Sequence, residues 1–141
     1  MNWVALALIS AALYGGYNFL IKVAAGSINQ IVGALTLQIA AAVVGGVFLI
    51  IMKLTGQQFV VSPRGFFWAA IAGVVVGLAE ITSFIVFSKG VSASIGVPII
   101  IGGSVVAATI LGLLFAKESL QWTQVLAICL IVAGAAILSA K

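Results

Sequence analysis

The chain has 141 residues, of which 65% are hydrophobic and 6% charged, with a formal net charge of +4 and a mean hydropathy of +1.41. That is too little polar surface to cover a water-soluble globule of this size, so its solvent is a bilayer. The charge does not point to nucleic acid as a partner, and none is expected, because the six basic residues stand singly rather than in a cluster.

Charges punctuate the chain. Residues 2–21, 23–52, 90–116 and 119–140 carry none, and each run is at least 20 residues long. As a helix, each can cross the ~30 Å hydrocarbon layer. A fifth span, 65–88, holds a single charge, Glu80. These runs are apolar on every face, unlike the short alternating segments of a membrane barrel. The predicted fold is all-α: one five-helix transmembrane domain over 1–141, with helices at 2–24, 31–52, 63–88, 94–116 and 122–139.

Helix one has small residues, Ala24 and Ala25, near a conceivable cleavage point. It has no basic segment before it, and Tyr14, Tyr17 and Asn18 interrupt it, so it reads as a retained span rather than a signal peptide. Ser10, Tyr14, Asn18 and Lys22 recur every four residues and form one polar stripe. Such a stripe is costly against lipid and is expected to face the bundle interior, with Tyr14 and Asn18 lining a cavity. The structural alternative has Tyr14 and Tyr17 supporting each other while Lys22 snorkels to the interface. Lys22 is also a candidate counter-ion for Glu80. A Gly26-Ser27-Ile28-Asn29 turn follows.

Helix two offers Gln38 among Ala34, Ala41, Ala42 and Gly45, one polar group on a small-residue face. The connection 54–62 is long enough for an interfacial segment, where Phe59-Val60-Val61 would meet headgroups. Ser62-Pro63 then supplies an N-cap and a proline at the first helical position.

Helix three carries the main anomaly. A carboxylate near the middle of a membrane helix costs ~2.5 to 3.5 kcal/mol even on the mild insertion scale. Glu80 shares a face with Gly73, Val76, Gly77, Ser83, Phe84 and Phe87. Gly73 and Gly77 are a small pair that lets a helix or ligand approach, and Ser83 is a hydrogen-bond partner for the carboxyl. Out of water, the carboxyl would hold a proton when empty and yield it to a cation. The alternative is a neutral glutamic acid bonded to a neighbouring helix as structural glue.

In helix four, Pro98 lacks a backbone donor and is expected to break or kink the helix, while Gly102-Gly103-Ser104 leaves room for close approach and adds a hydroxyl. Lys117-Glu118-Ser119 forms the last joint. Helix five, with Ala127, Ala133, Gly134, Ala135 and Ala136, is a packing surface suited to a dimer interface. Its Cys129 has no cysteine partner and reads as a buried, inert thiol. There is no histidine, so neither a metal site nor a cofactor is expected.

Five spans put the two ends on opposite sides of the membrane. Lys53, Arg64 and Lys117 fall on one side, and Lys22, Lys89 and Lys141 on the other. With no positive-inside bias, two opposite insertions become accessible, and an antiparallel homodimer would supply the inverted repeat of many transporters. The alternative is one orientation set by finer charge placement. No repeat is visible within the chain.

The segment from Ser92-Ala93-Ser94 through Leu113-Leu114-Phe115-Ala116-Lys117-Glu118-Ser119-Leu120, with Gln124 and Ile131-Val132-Ala133-Gly134, resembles the carboxyl half of an EamA-type domain of the drug/metabolite transporter superfamily. Tyr14-Gly15-Gly16-Tyr17-Asn18-Phe19-Leu20-Ile21-Lys22 is similar to that family's first helix, so the resemblance covers nearly the whole chain. It implies a five-helix unit, carried twice in opposite orientations by larger members, that moves metabolites, amino acids or drugs by alternating access. The related small multidrug resistance family works as antiparallel dimers around a membrane glutamate on its first helix, whereas Glu80 is on the third. Many members have an arginine in helix two near the position of Gln38, and their helix-four proline is nearer Ser104. The first departure argues against an anionic substrate.

The combined expectation is a homodimeric exporter or exchanger of a cationic or amphipathic small molecule, coupled to protons at Glu80, in a prokaryotic cytoplasmic (inner) membrane. The competing class is a non-transporting membrane subunit or lipid-handling accessory protein. An enzyme is not expected, because one deep acid without histidine or a cysteine pair leaves no nucleophile and base.

Overall fold

The computed structural model describes residues 2–140; Lys141, which entered the charge balance, lies outside the described residues. Five helices follow one another: α1 (Trp3–Ala25), α2 (Gln30–Leu54), α3 (Pro63–Ser88), α4 (Ala93–Phe115) and α5 (Trp122–Ser139). All five are long and apolar enough to cross a membrane. Their bounds differ from the expected ones by at most two residues.

Side-chain caps account for the bounds. The Asn29 carboxamide oxygen accepts the N–H groups of Ile31 at 3.0 Å and Val32 at 3.4 Å, which starts α2 at Gln30. Ser62 accepts the Gly65 N–H at 3.0 Å ahead of Pro63, the arrangement expected at the start of α3. Gly90, with φ +86, turns the chain out of α3 in a conformation that only glycine adopts freely. At the α4–α5 joint Lys117 takes a left-handed conformation, φ 54, and the Glu118 N–H returns to the Gly112 carbonyl at 3.1 Å. The α5 start is held by a capping box in which the Gln121 N–H donates to Gln124 Oε1 at 2.8 Å.

Two compact units emerge. One is Ile21–Gly90; the other joins the chain up to Leu20 with Val91 onward. In the first, α2 packs against α3. Gly33 sits under the Phe84 ring so closely that a Cβ there would fall 2.6 Å from Phe84 Cε1. In this unit Ile21, Ala25, Ala34, Phe84 and Phe87 are buried, together with Glu80.

In the second unit, α4 packs against α5. Gly102 is buried, and a Cβ there would lie 3.1 Å from Ala135 Cβ, so small residues set the helix spacing. Pro98 lies inside α4, which continues through it as helix rather than breaking. The ring falls in the second turn, where it removes one donor and leaves the rest of the ladder intact. Cys129 is exposed, not buried as its residue type suggested. The reason is that α5 buries no residue at all and presents most of its surface outward.

Large apolar side chains are exposed along every helix, from Trp3 at 77% to Trp122 at 83%. In water such a surface would be untenable. It is the expected exterior of a chain solvated by lipid or by another protein.

A candidate substrate site around Glu80

The buried face of α3 contains Glu80, Phe84 and Phe87, with Gly77 and Ser83 half-buried beside them. This recurrence at three and four residues is the face turned to α2. Two contacts fix the register. Gly33 of α2 meets Phe84, and Gln38 of α2 reaches Gly77, whose Cβ would stand 4.0 Å from Gln38 Nε2. Residue numbers rise along α2 as they fall along α3, so the helices run antiparallel.

Glu80 lies between those two contacts, ~4.5 Å along the axis from Gly77 and ~6 Å from Phe84. Gln38 is ~7.5 Å along α2 from Gly33. Glu80 and Gln38 therefore stand at the same level to within a helical turn. Glu80 is 6% exposed. Glu80 Oε2 and Gln38 Nε2 are both buried and have no hydrogen-bond partner among the described residues. Each such group costs about 1 to 3 kcal/mol, so two together are a conspicuous defect in an otherwise apolar pair of helices.

The polar partners expected for Glu80 do not repair it. Ser83 and Lys22 are half-buried, and neither donates to Glu80 Oε2. Thr82, next along α3, donates its hydroxyl to the Ala79 carbonyl at 2.8 Å, within its own helix. Of the small pair, Gly77 lies against α2 and Gly73 is exposed.

The other predicted site residues belong to the second unit. Tyr14 and Asn18 of α1 line a pocket of about 240 Å³ with Ala11, Gly15, Val97 and Ile101. Val97 adjoins Pro98, so the proline-bearing turn of α4 forms one wall. Asn18 is buried, and its Nδ2 donates to the Tyr14 carbonyl at 2.8 Å. Tyr14 is exposed and meets Tyr17 edge to face, with centroids 5.9 Å apart and ring planes at 86°. Ser104 is exposed, and its hydroxyl donates to the Ile101 carbonyl at 2.8 Å.

The polar stripe on α1 does not face inward along its length. Ser10 and Tyr14 are exposed, Asn18 is buried and Lys22 is half-buried. Steps of four residues overshoot a helical turn by about 40° each, so the stripe winds around the helix instead of running along it.

Gly33, Val97 and Ile101 were not singled out in the sequence. An isolated glycine early in helix two was the one available signal, since such residues mark close packing. Val97 and Ile101 are ordinary membrane aliphatics whose positions depend on the fold. Among the described residues, no three His, Cys, Asp or Glu side chains are grouped as a metal site would require.

Among curated proteins and among solved structures, no match to this chain is found. The model of the EamA-like transporter family matches residues 1–140, so the five apolar helices and the buried Glu80 are those of a chain that belongs to the EamA-like transporter family.

Proposed function

We propose that the protein moves a cationic or amphipathic small molecule across the membrane by exchange with protons at Glu80. The observation that carries this reading is a buried carboxyl oxygen without a hydrogen-bond partner, inside an apolar helix of a transporter-family chain. A carboxyl at membrane depth is expensive and is retained where it binds a proton or a cation. Protonated Glu80 is neutral. A cation arriving at the site displaces that proton to one side, and on the other side a proton rebinds Glu80 and displaces the cation, so each ligand is released when the other binds.

The working unit in this proposal is an antiparallel homodimer. The balanced distribution of lysine and arginine supports it, and so does the breadth of uncovered apolar surface on every helix. Ten helices related by a two-fold axis in the membrane plane can enclose a pathway open alternately to each side, whereas five short helices offer little enclosure.

The deciding experiment uses purified protein in liposomes with an imposed proton gradient and a broad panel of organic cations. The expected result is proton-coupled flux for at least one cation, reduced at least tenfold in Glu80→Gln. Flux that is equal in Glu80→Gln, or absent across the panel, overturns the proposal.

A further inference from the structure

Glu80 Oε2 lacks a donor and Gln38 Nε2 lacks an acceptor, on facing helices and within a helical turn of each other. The two groups are complementary in kind: a carboxylate oxygen only accepts, and an amide nitrogen only donates. A cargo bearing charge alone would satisfy Glu80 and leave the Gln38 amide unsatisfied.

Resting on the Glu80 reading above, we infer that the α2–α3 pair recognises a two-point polar head, a protonated primary or secondary amine with a hydroxyl or carbonyl oxygen on a neighbouring carbon. The ammonium N–H donates to Glu80 Oε2, and the oxygen accepts from Gln38 Nε2. The two contacts come from opposite helices, so the head must carry both groups within a few bonds. A quaternary ammonium fits poorly, because it has no N–H to give the carboxylate. Gly77 suits this arrangement: having no side chain, it lets the buried Gln38 amide lie close against the α3 backbone. Phe84 and Phe87 lie buried beyond Glu80 on the same face and keep its surroundings apolar. The Thr36 and Thr82 hydroxyl protons are engaged within their own helices, with the Val32 and Ala79 carbonyls, so neither donates to the head's oxygen.

The test is equilibrium binding to the full chain in lipid nanodiscs, using three probes of one scaffold: 2-amino-1-phenylethanol, 2-phenylethylamine, and its N,N,N-trimethyl derivative. Wild type, Gln38→Met and Glu80→Gln are compared, with thermal unfolding measured on each. Wild type is expected to bind the amino alcohol about fivefold more tightly than the plain amine, the size of one net hydrogen bond, and the quaternary probe most weakly. Gln38→Met should erase the hydroxyl preference while keeping the affinity for 2-phenylethylamine. Glu80→Gln should weaken both amines at least tenfold.

A hydroxyl preference that is absent in wild type, or retained in Gln38→Met, overturns the inference while Glu80-dependent amine binding leaves the proposed function standing. Amine binding that ignores Glu80→Gln overturns that function itself. If Gln38→Met lowers the unfolding temperature and weakens both amines equally, Gln38 is a structural partner of Glu80 and the inference fails. Absence of binding by every probe also overturns it.

Discussion

Among single residues, two glycines on the α2–α3 pair report opposite conditions. A Cβ on Gly33 would enter the Phe84 ring at 2.6 Å, and that ring is 2% exposed with little room to move. Gly33→Ala should therefore cost about 1 to 3 kcal/mol through overpacking, read as a lowered unfolding temperature in detergent. Gly77→Ala meets its nearest neighbour, Gln38 Nε2, at an ordinary 4.0 Å. It should change stability by less than about 0.5 kcal/mol. If the two variants unfold alike, the register deduced for α2 and α3 is wrong. Of the candidate site residues, Glu80 was legible as a charge in hydrocarbon, and Ser83 and Gly77 as its neighbours on the helix face. Gln38 stood out only as a polar residue on a small-residue face. That it stands within a helical turn of Glu80 depends on where two helices touch, which no spacing within either helix encodes.

Among the elements, the α4 proline and the α4–α5 joint carry distinct expectations. Pro98 leaves the Ser94 carbonyl without its usual donor, yet α4 is continuous. Pro98→Ala should restore that bond, stabilise the protein by about 1 kcal/mol and slow amide hydrogen exchange in the second turn of α4. Unchanged exchange there would mean that the carbonyl already has another partner. Lys117 occupies the left-handed region at φ 54, a conformation that costs a β-branched residue most. Lys117→Val should lose about 1 to 2 kcal/mol, and Lys117→Gly should lose nothing, in the same unfolding assay. Equal losses in the two would exclude the backbone conformation as the cause. Helix identity and limits were readable because charge, proline and capping residues act locally: Ser62-Pro63 and Asn29 start their helices through bonds three residues away or fewer. The α1 stripe does not face inward along its length because residues four apart drift by about 40° per step and wind around the helix.

For the molecule as a whole, the number of spans and the balance of basic residues bear on assembly. If both orientations are inserted, a carboxyl-terminal reporter active on one side only should give signal in each of two complementary versions, within about threefold of each other. A signal confined to one version would sink the antiparallel homodimer. The bilayer as solvent, five helices, their ends and the family were all written in the sequence, because hydropathy, charge and local capping do not depend on distant contacts. Only the tertiary structure decided that Gly33 seats Phe84, that α4 passes intact through Pro98, that Cys129 faces outward, and that Glu80 and Gln38 stand on facing helices within a helical turn of each other with their polar atoms unpaired. Those outcomes turn on how apolar helices nest, and where nearly every face is apolar, hydrophobicity cannot choose among the faces; small residues and shape do.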